Sequence, residues 1–259
     1  MMRSRNSKIL FGIILGAIVV SAPIILMLLP QSQSEISVSL LINDGVMIEA
    51  NGIRIFIDPL FLPSNYSDMP ADLILITHAH GDHYSPLDID IVYTNDTLFV
   101  CPENMTEAID RYDGFGVNPG DTFLFGDINI TAFPLYLPDY PSGVPSAHPR
   151  ESNWTSFIID INGFTIFHAG DNKYIDEYEQ LTDKIDLAFL PIYFDPGLGA
   201  LNESLLPIVD AINTIRPRSI ILTHYIGAIR ETFISEYSIL VDDSECEILD
   251  IEYWTDLIF

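Results

Sequence analysis

Two stretches of the chain carry the same hydrophobic pattern. In "VMIEANGIRIFID", residues 46–58, and in "SFIIDINGFTIFHAGD", residues 156–171, apolar runs flank an Asn-Gly pair. Asn-Gly supplies the positive φ angles of a tight hairpin, so each stretch predicts two strands turning at 51–52 and 162–163. Each hairpin is followed by an aspartate and a continuous apolar run, "DLILITHAH" from Asp72 and "DLAFLPIYF" from Asp186. Runs without polar alternation suit strands buried on both faces. The chain therefore reads as two related halves, each a hairpin, a buried strand and a helix.

Other positions fill in that layout. Helices are predicted near 104–112, 204–215 and 229–240, and further strands at 98–101, 122–134, 219–223 and 246–253. "SLLPIVDAINTI" has apolar residues at three-to-four spacing and so buries one face, which suits a helix packed outside a sheet. The predicted fold class is α/β, a four-layer αββα sandwich of two mixed sheets with helices outside. The least regular segment, "LPDYPSGVPSAHPRESN" at 137–153, has the prolines, glycine and serines of a surface loop.

At the N-terminus the pattern changes. Arg3, Arg5 and Lys8 precede an uncharged apolar run from Ile9 to Leu29. At about 1.5 Å per residue such a run just crosses a hydrocarbon core of about 30 Å. One N-terminal transmembrane helix is expected, with residues 1–30 as basic flank and anchor and 31–259 as the folded domain. The basic flank places the N-terminus in the cytoplasm and the domain outside, making the membrane a partner. A cleaved signal peptide is the rival reading.

Charge narrows the possible partners. The whole chain has eleven Lys plus Arg against 37 Asp plus Glu, with three of the cations in the first eight residues. A surface so acidic repels phosphate backbones, so nucleic acid is excluded as a partner. N-x-S/T sequons fall at Asn65, Asn95, Asn104, Asn129, Asn153 and Asn202, which suits a glycoprotein outside the cytosol. No local spacing suggests a bridge between Cys101 and Cys246, and two separate, partly buried thiols are expected.

The chemistry is concentrated in the histidines. All six, His78, His80, His83, His148, His168 and His224, lie in loops or at predicted strand ends. In "HAHGDH", residues 78–83, side chains 78 and 80 point the same way if the strand continues, and Gly81 lets the chain turn and bring Asp82 and His83 back. Neutral imidazoles and carboxylates converging on one point are divalent-cation ligands. Four such groups clustered for structure alone would carry a heavy desolvation cost.

H-x-H-x-D-H after an apolar strand resembles the metallo-β-lactamase superfamily of metal-dependent hydrolases. That family's later signatures match His148 in "SAHPRES", Asp171 in "FHAGDN" and His224 in "IILTHYIG". The resemblance covers roughly 40–250. It implies an αββα fold, His78, His80 and His148 on one metal, Asp82, His83 and His224 on a second, and Asp171 bridging them. "IDP" at 57–59, "HAGD" at 168–171 and "LPI" at 190–192 look most like the branch that includes L-ascorbate-6-phosphate lactonase and N-acylphosphatidylethanolamine phospholipase D. Asp58 and His168 are expected just behind the ligands, Asp58 accepting a ring N–H from a metal-bound histidine.

The expected cofactors are two divalent ions, zinc by ligand type, with manganese or iron tolerated by the aspartates. The expected reaction is hydrolysis by a bridging hydroxide, with Asp82 and Asp171 as the catalytic carboxylates. The bond is a lactone, ester, amide or phosphodiester in a small-molecule or lipid-derived substrate. A metal-binding or sensor protein without turnover and a di-iron redox protein are the alternatives from other classes.

Overall fold

Both Asn-Gly pairs turn the chain as the pattern predicts. Asn51 and Gly52 have φ of 55° and 76°, and Asn162 and Gly163 have 55° and 90°. That left-handed pair matches the natural twist of two antiparallel strands. Each hairpin then sits at the centre of its own sheet.

The computed structural model describes residues 35–242 and 246–259. The first sheet contains β1 (Ser37–Leu40), β2 (Val46–Ala50), β3 (Ile53–Ile57), β4 (Leu73–Leu75), β5 (Leu98–Pro102) and β6 (Phe115–Val117). The second contains β7 (Thr122–Phe125), β8 (Ile128–Leu135), β9 (Trp154–Ile161), β10 (Phe164–His168), β11 (Leu187–Pro191), β12 (Ser219–Thr223) and β13 (Glu247–Ile248). A last strand, β14 (Asp256–Ile258), returns to the outer edge of the first sheet, where Val38 faces Leu257.

The strand orders are β14-β1-β2-β3-β4-β5-β6 and β13-β12-β11-β10-β9-β8-β7. From β14 to β3, and from β7 to β10, neighbours are antiparallel; from β3 to β6, and from β10 to β13, they are parallel. The two sheets are thus built on one plan. The second half takes its first strand from the adjoining sequence, whereas the first half borrows β14 from the far end of the chain.

Period-two burial sorts the side chains into layers. Ile55 and Ile57 of β3 meet Ile159, Ile166 and Phe189 between the sheets, while Phe56 faces the other way, toward Ile89 of α1 (Pro86–Val92) and Ala108 of α2 (Thr106–Tyr112). On the far side, Phe167, Ala188 and Leu190 pack against Ile208, Ile212 and Ile215 of α3 (Leu201–Ile215). The result is helix, sheet, sheet, helix.

Five expectations need correction. The transmembrane helix has no support: no helix among the described residues is long and apolar enough to cross a membrane, and residues 9–29 lie outside those described. With it go the membrane as a partner and the single-pass membrane localisation. The predicted strand 122–134 is two strands, because Gly126 at φ 59° turns the chain between β7 and β8. The strand expected at 246–253 shortens to β13. α3 begins earlier than predicted, at Leu201, because the Glu203 carboxylate accepts the Ala200 N–H at 2.8 Å and caps the first turn. The helix expected near 229–240 is α4 (Ile229–Thr232), continued by a wider turn at Phe233–Tyr237.

Cys101 is buried in β5, where burial pushes its thiol up to about 12, and no disulfide joins it to Cys246.

Candidate metal centre

Every candidate ligand lies beyond the C-terminal end of a strand, at one end of the sandwich. His78, His80, Asp82 and His83 follow β4, Asp171 follows β10, His224 follows β12, and His148 comes from the loop between β8 and β9. β4 stops at Leu75, earlier than the sequence suggests. A helical turn then gathers the motif: the His80 carbonyl accepts the N–H groups of His83 at 3.0 Å and Tyr84 at 2.8 Å. Gly81 is not in the left-handed region, so its special freedom is not what turns the chain.

Two groups form. Ligand atoms of His78, His80, His148 and Asp171 all lie within 4.8 Å of one another, as do those of Asp82, His83 and His224. Asp171 stands between them with one oxygen toward each. Its Oδ2 is 2.9 Å from His148 Nε2 and 3.5 Å from His78 Nε2; its Oδ1 is 3.0 Å from His83 Nε2 and 3.2 Å from His224 Nε2. These short separations do not close hydrogen bonds for all of these atoms. His83 Nε2, His148 Nε2, His224 Nε2 and Asp171 Oδ1 are buried without a hydrogen-bond partner. Atoms so buried cost about 1–3 kcal/mol each if left unmet, and a cation between them would accept their lone pairs. The residues fit divalent ions.

Asp58 sets which nitrogens are bare. Its carboxylate is fully buried and accepts the Thr77 N–H at 2.8 Å, the Thr77 hydroxyl, and His83 Nδ1–H at 2.8 Å. Because the Thr77 hydroxyl donates to Asp58, it accepts from His78 Nδ1 at 2.9 Å. Both imidazoles therefore carry their proton on Nδ1, and Nε2 of each faces Asp171, that of His78 also lying 3.1 Å from His80 Nδ1. One carboxylate orients a ligand in each group.

His168 is engaged at both nitrogens. Nε2 donates to the Asp44 carbonyl at 2.7 Å, and Nδ1 accepts the Gly170 N–H at 3.2 Å. It stands behind the centre and offers no ligand atom to the group containing His148.

Electrostatics separate the two groups. Burial, reinforced by His83, drives His78 down to about 3, and burial lowers His80. Burial would raise Asp171, but the surrounding imidazoles of His83, His224, His148 and His78 outweigh it and hold the carboxyl well below its usual range. His83 and His224 move the opposite way: burial would lower both, yet Asp171, with Asp58 for His83 and Asp82 for His224, raises them. The His224 imidazole, 3.2 Å away, holds Asp82, half-exposed at the rim, down to about 2.

Sequence reasoning missed several residues around the centre. The Trp154 ring lies 4.9–5.6 Å from the rings of His80, His78 and His148, walling the first group. The Tyr193 ring lies 4.8 Å from that of His224, and its hydroxyl donates to the Asp171 carbonyl at 3.1 Å. Buried Lys173 sits 3.8 Å over the Tyr193 ring and donates to the carbonyls of Tyr193 and Ser204. Asn43 and Asp44, in the β1–β2 turn, are the other two. None belongs to a ligand-like spacing. A cavity of about 710 Å³ lies elsewhere, at the N-terminal ends of β10–β12; its Arg216 and Arg218 are paired with Asp183 and Asp186, and it holds none of this chemistry.

A sandwich with these buried, unmet donor atoms at one end defines a metal-dependent protein. Residues 53–225 match the family described as "Beta-lactamase superfamily domain", and the chain belongs to it as a metal-dependent hydrolase of the metallo-β-lactamase superfamily. The chain is similar to a "UPF0173 metal-dependent hydrolase" of Archaeoglobus fulgidus, 27% identical over 67% of this chain and 76% of that one. Its fold resembles a crystal structure from Parabacteroides distasonis proposed to be a metal-dependent hydrolase, with 27% identity, TM-score 0.69, and coverage of 83% of this chain and 92% of that one. It also resembles Igni18, a metallo hydrolase from Ignicoccus hospitalis, with 21% identity, TM-score 0.65, and coverage of 87% and 98%. None of these likenesses selects the lactonase or phospholipase D branch.

Asp58→Asn places an N–H₂ group against at least one of three buried donors. It should destabilise the metal-free chain by about 3 kcal/mol, read from urea unfolding. A loss below about 1 kcal/mol would show that Asp58 does not hold the histidines as described.

Proposed function

We propose that the protein is a dinuclear hydrolase of small molecules. His78, His80 and His148 would hold one ion and Asp82, His83 and His224 the second, with Asp171 available to both. The observation that carries this reading is the placement of Asp171, with each carboxylate oxygen facing a different histidine group. Histidine-rich donors favour zinc, and the aspartates also accept manganese or ferrous iron. Two such ions, when bound, lower the pKa of water toward neutrality and polarise a carbonyl or phosphoryl oxygen.

The chain's own residues supply the rest. Asp58 and Thr77 keep the Nε2 atoms bare. Trp154 covers the first group from the side and keeps water from the backs of its imidazoles. Asp171 is ionised and sunk between the groups, so it can hold a proton only briefly. Asp82 is at the rim, where a carboxylate can pass a proton to solvent. Buried Lys173 is committed to backbone carbonyls. The scissile bond is a lactone, ester, amide or phosphodiester. The narrower likeness to the lactonase and phospholipase D branch rests on the short motifs at 57–59, 168–171 and 190–192.

Elemental analysis of the full chain, stripped and reloaded with zinc, is expected to find about two ions, falling to about one in the His83→Ala, His224→Ala double variant. The wild-type protein should then turn over at least one member of a panel of lactones, esters, amides and phosphodiesters. Under half an ion in both forms would overturn the reading.

Acid should empty the two groups in order. Raised pKa values mean His83 and His224 take up protons first as pH falls, whereas His78, held down to about 3, stays neutral. The ion held by Asp82, His83 and His224 should therefore leave at the higher pH, followed by metal analysis after stepwise acidification. Loss of both ions in one step would contradict this order.

A further inference from the structure

The β1–β2 turn, residues 42–45, lies ahead of the stretch that matches the family. It nevertheless reaches into the centre. The Asn43 carbonyl accepts the His224 N–H at 2.9 Å, and the Asn43 side-chain amide donates to the Asp82 carbonyl at 3.0 Å. His224 has φ of 53°, in a left-handed conformation that a histidine occupies only when its surroundings hold it there. Asn43 is itself at φ 63°, which asparagine tolerates better than other residues with a Cβ.

The next residue adds charge. Asp44 is fully buried, and neither carboxylate oxygen has a hydrogen-bond partner. Its Oδ2 lies 4.0 Å from His83 Nδ1 and 3.8 Å from His168 Nε2, and its backbone carbonyl accepts from His168. A carboxylate without hydrogen bonds in such a place is expensive unless positive charge stands nearby. Of these two histidines, His83 belongs to the second group. The turn itself is held firmly: Gly45 N–H donates to the Ile42 carbonyl at 3.1 Å, and a Cβ on Gly45 would come within 3.1 Å of the Asp58 carbonyl.

We propose that this turn sets the affinity of the second ion, with Asn43 and Asp44 as positioning residues for Asp82, His83 and His224. Asn43 fixes two of those ligands through their backbones, and Asp44 places a negative charge behind the third. Among the described residues, no hydrogen bond from the turn reaches His78, His80 or His148, and the turn approaches the first group only through the Asp44 carboxylate, within 4.8 Å of Asp171. The inference rests on the two-ion reading above.

The test is calorimetric titration of zinc into the metal-free full chain and into two variants. Asn43→Gly keeps the backbone carbonyl and the positive φ but removes the amide; Asp44→Asn keeps the shape and removes the charge. Each should weaken the second ion about 10–100-fold and leave the first within about twofold, with metal-free melting curves like that of the wild type. Two ions bound with wild-type affinity in both variants would overturn the role of the turn while sparing the two-ion reading. Fewer than two ions in the wild type would overturn both. Loss of both ions together with early melting would mark the turn as merely structural and also overturn the proposal.

Discussion

The centre depends on one buried carboxylate. Asp58 stands at the end of β3 with φ of 44°, sealed from solvent, and spends both oxygens on groups that lead to histidines. Through Thr77 it fixes the proton of His78, and directly it fixes that of His83. Without it either imidazole could present an N–H to the position where a lone pair is needed, and a buried ring with the wrong tautomer cannot bind a cation. Burial strengthens this control, because no water competes for the same donors.

The duplicated architecture explains why the ligands meet where they do. Each half carries a hairpin followed by parallel strands, and the strands of both sheets end at the same edge of the sandwich. The first half supplies Asp58 and the "HAHGDH" turn; the second supplies His148, Asp171 and His224. Neither group of ligands is complete within one half, so the packed interior between the sheets, with Ile57, Phe157 and Phe189, also fixes the geometry of the centre. The β1–β2 turn adds a third tie, from the first half to the backbone of His224.

Much of this was legible in the sequence, for identifiable reasons. Asn-Gly pairs announce their turns because few other dipeptides accept two positive φ angles. Buried parallel strands announce themselves by unbroken apolar runs, and clustered histidines by their chemistry. What stayed hidden depends on distance along the chain or on single residues. Pairing of β14 with β1 joins the two ends of the domain, and no local pattern encodes it. Gly126 was an isolated glycine within an otherwise alternating run, so two strands read as one. Asn43, Asp44, Trp154 and Tyr193 look like ordinary turn or packing residues until the fold brings them beside the histidines. The apolar run at 9–29 lies outside the described residues, and no helix among those described is long and apolar enough to cross a membrane.

The central claim is that Asp171 joins two ions held by two separate histidine groups. X-ray absorption at the metal edge of the zinc-loaded full chain tests it most directly. The account predicts a metal–metal vector of about 3.5–4 Å together with imidazole scattering, the separation expected of a two-metal hydrolytic centre. A spectrum fitted by isolated zinc with no second metal within that range would contradict it.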